Sequence, residues 1–363
     1  MWPDNRILDL FGIQSPIIQA PMAGSVLSDM VVAVSEAGGL GSLPCALLSV
    51  EQARSELEII RKQSSRPINV NFFCHQPPRI DPAREMIWRQ RLDAYFVELG
   101  LDNNTAIQSG NRAPFDDKMC DLVMEFHPEV VSFHFGLPDK NLLARVRRAD
   151  AKIISSATSV DEARWLEDQG CDAIVAQGYE AGGHRGVFLT QDVSTQVGTM
   201  ALVPQVVDAV RVPVIAAGGI ADARGIVAAF ALGAAAVQIG TAYLLCQEAK
   251  ISSVHRQALR HAKDNETVVT NVFTGRPARG IVNRLIREVG PMSDVAPEFP
   301  LAAAALAPLR SKSEMAGSGD FTPLWSGQAA RLSQALPAAE LTQRLAAETV
   351  ETLRFLRRGA DSG

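Results

Sequence analysis

The chain has 363 residues, 47% hydrophobic and 21% charged, with a formal net charge of −5. That composition supports a sizeable buried core and excludes a disordered chain. It carries no basic block, which argues against nucleic acid as a partner.

From the N-terminus onward, MWPDNRILDLFGIQ bears charges throughout and lacks the apolar segment of a leader peptide. Short apolar runs then recur at 16–20 (PIIQA), 39–43 (GLGSL), 67–73 (PINVNFF), 130–135 (VVSFHF), 151–157 (AKIISSA), 171–177 (CDAIVAQ), 212–219 (VPVIAAGG) and 234–240 (AAAVQIG). They are apolar nearly throughout, as strands covered on both faces should be. Helical patterns lie between them. The stretch 28–38 opens on Ser28 and stops at Gly38, and 50–63 puts Ala53, Leu57 and Ile60 on one face. The stretches 159–170 and 222–233 open on Ser159 and Asp222 and end on glycine. Eight such units predict an α/β chain folded as a (β/α)8 TIM barrel over residues 1–242. A doubly wound sheet, the rival, usually needs fewer strands. The long stretch 75–128 predicts a helical insertion, with helices near 81–100 and 115–127, over the barrel mouth. The run GIVAAFALGAAAV (225–237) is too short to span a bilayer, which needs roughly 20 helical residues, so no membrane partner is expected. Past Gly240 the strand pattern stops. The stretches 243–264, 277–290 and 338–358 read as helical, so 243–363 is expected to hold the last barrel helix and a mostly helical C-terminal cap, with a frayed end. The five cysteines stand singly, without CxxC, which predicts reduced thiols and a cytoplasmic location.

In a barrel of this kind the site lies at the C-terminal strand ends. Gly218 and Gly219 end the seventh strand, and Gly240 and Thr241 end the eighth. These turns suit a phosphate held by backbone N–H groups, or are simply tight βα turns. At the end of the first strand, Met22 in QAPMAG is either core or a surface for a flat ring; Asn71, ending the third, offers a donor and an acceptor or merely forms a turn. His134 alternates with Phe133 and Phe135 and so points away from both, either as a satisfied core histidine or toward a ligand. Gln177 ends the sixth strand. The loop YEAGGHRG above it sets His184 at the catalytic face, behind Gly182 and Gly183, where a histidine can exchange a proton near neutral pH. No metal-ligand spacing occurs among His, Cys, Asp and Glu.

APMAG, SFHFGLP, QGYEAGGHRG, and AAGGIADARG with LGAAAVQIGT together resemble the FMN-dependent nitronate monooxygenases, over residues 8 to about 246 and weakly at LWSGQAARL (324–332). Within that family, enzymes acting on propionate 3-nitronate look most similar. The resemblance implies an FMN-binding barrel that uses O2 to oxidise nitronates or nitroalkanes. Met22 and Asn71 would approach the flavin ring, and Gln177 and Gly182 the ring or ribityl chain. Gly218, Gly219, Gln238, Gly240 and Thr241 would hold the phosphate. His184 would be the base and His134 would bind or orient the nitro group. Asp-Ala-Arg at 222–224 departs mildly from the Asp-Gly-Arg frequent in relatives. An FMN-dependent enoyl-ACP reductase or NAD(P)H:quinone reductase is the alternative; SFHFGLP and EAGGH argue against each in turn.

Overall fold

In the computed structural model, which describes residues 2–102 and 112–361, each apolar run becomes a short strand. They are β1 (Ile17–Gln19), β2 (Gly41–Pro44), β3 (Ile68–Phe73), β4 (Val130–His134), β5 (Lys152–Ala157) and β6 (Ala173–Gln177). A two-residue strand, β7 (Gly183–His184), intervenes before β8 (Val214–Ala217) and β9 (Ala236–Ile239). The strands run parallel in the order β1-β9-β8-β6-β5-β4-β3-β2. Leu40 closes the ring. Its N–H donates to Ile17 O and its carbonyl accepts from Gln19 N, each at 3.0 Å. This is a TIM barrel.

Period-two alternation sorts each strand between two cores. Val70, Phe72, Val131, Phe133, Ile174 and Ala176 pack outward against the helices. Ile18, Val130, Ile154, Val175 and Ile215 fill the interior, joined by Ile7 and Phe11 of the helix Arg6–Phe11, which sequence reasoning missed. Strands and helices touch closely. A Cβ on Gly41 would lie 2.2 Å from Val31 O, so only glycine lets β2 press on the helix Ser28–Glu36.

The insertion forms the helices Pro82–Glu98 and Asp117–Phe126. Trp88, Leu92 and Phe96 of the first share a core with Leu306 and Leu309 of the helix Ala302–Met315 and with Phe321.

The C-terminal third departs from the helical expectation. Residues 243–264 are not one helix: a short 3-10 turn, Thr241–Leu245, is followed by a separate helix, Ser253–His261, capped by Ser252. Residues 277–290 divide into strand β11 (Ala278–Ile281) and the helix Arg284–Val289. With β10 (Thr267–Thr270) and β7, β11 makes a three-stranded antiparallel sheet. That sheet forms because β11 finds its second edge in a loop nearly a hundred residues upstream, a pairing no local pattern reveals. The final helix, Ala338–Asp361, runs into the stretch expected to fray; Ser362 and Gly363 lie outside the described residues. It packs against the helices Ser28–Glu36 and Ala223–Ala231 and so completes the outer ring. Tyr243 Oη and Thr342 Oγ1 tie it to the end of β9 at 2.8 Å.

Candidate active site

Alternation also decides what reaches the barrel mouth. Because Phe72, Phe133 and Ala176 face the helices, their neighbours Phe73, His134 and Gln177 face inward at the C-terminal end. They line one cavity. Every residue singled out above borders it: Met22, Asn71, His134, Gln177, Gly182, His184, Gly218, Gly219, Gln238, Gly240 and Thr241.

Both ring nitrogens of His134 are engaged. Nε2 lies 3.2 Å from His184 O, and Nδ1 lies 2.6 Å from Ser156 Oγ. A carbonyl can only accept, so Nε2 carries the proton and Nδ1 accepts from the serine. His134 therefore grips the backbone of residue 184 and, in this arrangement, has no nitrogen left for a nitro group. Burial pushes its pKa down to about 3, with the Arg276 charge adding to the effect, so the ring is neutral. Gln177 helps from the same side: its Nε2 donates to His184 O at 3.1 Å and its Oε1 accepts from Gly186 N at 2.7 Å.

The His184 ring stands in an aromatic enclosure, 5.2 Å from Phe299, 5.5 Å from Trp325, 6.1 Å from Phe135 and 6.2 Å from Phe73 between ring centres. Burial, then the charges of Arg112 and other neighbours, hold its pKa well below the usual histidine range. Its Nε2 lies 3.0 Å from Thr274 Oγ1. Arg112 lines the same cavity with its guanidinium carbon 5.7 Å from the Phe299 ring centre. It forms no salt bridge among the described residues, and burial lowers its pKa.

The loop carrying His184 is held from within. The fully buried Arg185 donates to the carbonyls of Gly178 and Tyr179 (both 3.3 Å), Gly182 (3.3 Å) and Gly183 (2.9 Å), and to that of Ala181. Buried Arg279 reaches Tyr179 O at 3.0 Å and covers the Tyr179 ring at 4.5 Å.

At the opposite end of the cavity, Gly218 and Gly219 adopt φ of 116° and 71°. Neither their amides nor that of Gly240 has a hydrogen-bond partner among the described residues. A Cβ on Gly218 would meet Thr199 Oγ1 at 2.9 Å and Ala181 N at 3.0 Å. Gly327 N donates to Thr241 Oγ1 at 2.9 Å, which brings the Trp325–Gly327 segment over this end. Close-set glycines with open N–H groups at two adjacent strand ends can receive an anion.

Sequence reasoning missed Arg112, Ser156, Thr274, Arg185 and Phe299. Arg112 and Phe299 sit in loops without motif. Ser156 is one of two adjacent serines in β5, and only the register selects it. Thr274 precedes Gly-Arg-Pro, a turn signal that does not say which residue the turn meets.

The sequence model of the family described as nitronate monooxygenase matches residues 4–348. A nitronate monooxygenase from Pseudomonas aeruginosa is 40% identical, over 95% of this chain and 99% of that protein. One from Paraburkholderia phytofirmans is 39% identical, over 98% of each. Among solved structures, a nitroalkane oxidase from Streptomyces ansochromogenes superposes with a TM-score of 0.87 at 37% identity, covering 97% of this chain and 99% of that one. FabK from Thermotoga maritima superposes with a TM-score of 0.73 at 27% identity, covering 98% and 99%.

Proposed function

The chain belongs to the nitronate monooxygenase family, and on that premise we propose that it is an FMN-dependent oxidoreductase that oxidises alkyl nitronates with O2 to a carbonyl compound and nitrite or related nitrogen oxides. The observation that carries this reading is a neutral histidine, His184, that shares one aromatic-walled chamber at the barrel mouth with Arg112, a guanidinium without a salt bridge among the described residues.

The residues present suit a flavin mononucleotide. Open amides at Gly218, Gly219 and Gly240, with Gln238 and Thr241 beside them, would take the phosphate. Met22, Asn71, Gln177 and Gly182 would border the ring and ribityl chain. When bound, FMN supplies the electron acceptor for the nitronate and the electrons that reduce O2.

The chain's own groups do the rest. Arg112 would pair with the anionic substrate in a site from which the aromatic walls exclude water, where charge pairing is stronger than in solution. His184 would take the α-carbon proton when a neutral nitroalkane is the substrate; a nitronate needs none removed. His134 and Gln177 would hold the His184 backbone in place. Propionate 3-nitronate is the first substrate to try. The reading includes a division near residue 242 between flavin barrel and substrate-side segment, with the last helix returning to the barrel. It also includes a cytoplasmic location, supported by five free thiols. Among the described residues no helix is long and apolar enough to cross a membrane.

Anaerobic mixing tests the proposal. The purified protein should be yellow, and a nitronate alone should bleach it. Bleaching by NADPH but not by nitronate would support a reductase of the enoyl-ACP or quinone type instead. A colourless protein that does not bind added FMN would overturn the cofactor assignment.

A further inference from the structure

Thr274 lies at the tip of the β10–β11 hairpin, far from residue 184 in the chain. It is 2% exposed, and hydrogen bonds around it fix the turn that carries it. Gly275 N donates to Asn271 O at 2.8 Å, and the Asn271 side chain bonds both ways to the Ser293 backbone at 2.9 Å. Gly275 has φ of 85°, and a Cβ there would lie 1.9 Å from Pro297 O. Pairing of Ala278 with His184 then carries the hairpin tip to the histidine ring.

The Thr274 hydroxyl has two neighbours, His184 Nε2 at 3.0 Å and Arg276 O at 3.3 Å. It has one proton to give. The carbonyl accepts and cannot donate, so when the hydroxyl serves it, the contact with the ring is satisfied only by a proton on Nε2. Nδ1 has no hydrogen-bond partner among the described residues, and the ring lines the chamber.

We propose that Thr274 is a positioning residue that selects the tautomer of His184, accepting from Nε2–H and donating to Arg276 O, so that Nδ1 keeps its lone pair for the substrate. Resting on the reading of His184 as base, this gives the proton transfer a defined course. The α-carbon C–H bond of a nitroalkane breaks and an Nδ1–H bond forms. The electron pair of the C–H bond passes into the nitro group to give the nitronate, and the imidazolium keeps its Nε2–H on Thr274. The charged groups around the ring are Arg112, Arg276 and Arg185, with neutral His134 beneath it. Among the described residues none is a carboxylate that would hold the proton elsewhere. The cap segment thus contributes to the proton-transfer machinery as well as walling the pocket, and the barrel alone would present the histidine in either tautomer.

The test reads the tautomer directly. In the flavin-loaded protein carrying 15N-labelled histidine, the ring signals of His184, assigned by their loss in His184→Asn, should show a protonated Nε2 and an unprotonated Nδ1 at pH 7.5. Thr274→Val, close in shape but without an acceptor, should shift the signals toward Nδ1–H and lower kcat/KM for a neutral nitroalkane by about 10²-fold, the scale of a lost base. Nitronate kcat/KM should change far less, and Thr274→Ser should restore both readouts. A wild-type ring with its proton on Nδ1 would overturn the proposal even if Thr274→Val does not fold. Unchanged signals and nitroalkane rates in Thr274→Val would do the same. Failure of the wild type to consume nitronate would sink the functional reading, while the tautomer measurement would still decide the role of Thr274.

Discussion

In the proposed function, the charge preference of the site would rest on a single residue, Arg112, in the chamber that holds His184. A guanidinium removed from water without a carboxylate beside it is costly unless the ligand supplies the anion. Arg112→Gln keeps a polar side chain and removes the charge. The KM for a nitronate should then rise about 10- to 100-fold, equivalent to about 1.4–2.8 kcal/mol, while the KM for a neutral nitroalkane changes little. Steady-state oxygen uptake at fixed ionic strength measures both. Equal changes for the two substrates would assign Arg112 a packing role against Phe299. At this scale legibility was uneven. His184 stood out in the sequence because glycines isolate it above a strand end. Arg112 did not, because its meaning comes from having no salt bridge among the described residues, and that is a property of three dimensions.

The loop from Gln177 to Gly186 is an element built around its own arginine. Arg185 turns back to collect five carbonyls of the preceding residues, and this orders a stretch with few side chains of its own. Burial pushes its pKa down to about 9, so it stays charged at neutral pH. Replacement by methionine would fill much of the space yet leave several buried carbonyls unpaired, each costing about 1–3 kcal/mol where the loop cannot relax. Arg185→Met should therefore lower the unfolding free energy by about 3–5 kcal/mol and loosen flavin retention. Urea unfolding and the flavin absorbance after gel filtration would report the two effects. Full stability with full flavin content would show that the loop orders itself without the guanidinium. Strands and helices of the barrel were readable because each has its own period and punctuation. The β7–β11 pairing was not, because two residues carry no period.

Buried neutral histidines give the whole molecule a shared pH dependence. Burial lowers the pKa of His75 and His255 to about 4 and that of His134 to about 3, and holds His184 well below its usual range. A histidine whose folded pKa lies below its unfolded value binds protons first in the unfolded chain as pH falls. Stability is thus fully present above the unfolded value near pH 6.5 and declines from there toward pH 4. The slope is about 1.4 kcal/mol per pH unit for each such group. Urea midpoints at pH 7.5, 6 and 5 should fall progressively. His255→Gln, which keeps a donor for Trp325 O, should flatten the decline. Midpoints independent of pH between 7.5 and 5 would show that these rings take up protons without unfolding the chain.

What the sequence determined by itself was the barrel, its eight strands, and a set of candidate glycines and histidines at the strand ends that line one cavity. These follow from short-range physics: apolar runs that need cover on both faces, caps that start helices, glycines where a side chain would block a close approach. What only the tertiary structure decided was how those residues meet. The ring closes through Leu40, the outer layer is completed by a helix from the far end of the chain, and Ser156 and Thr274 each take one ring nitrogen of a histidine brought from elsewhere. A hydrogen bond between distant residues depends on register and packing to within a fraction of an ångström, and no local pattern in the chain encodes that distance.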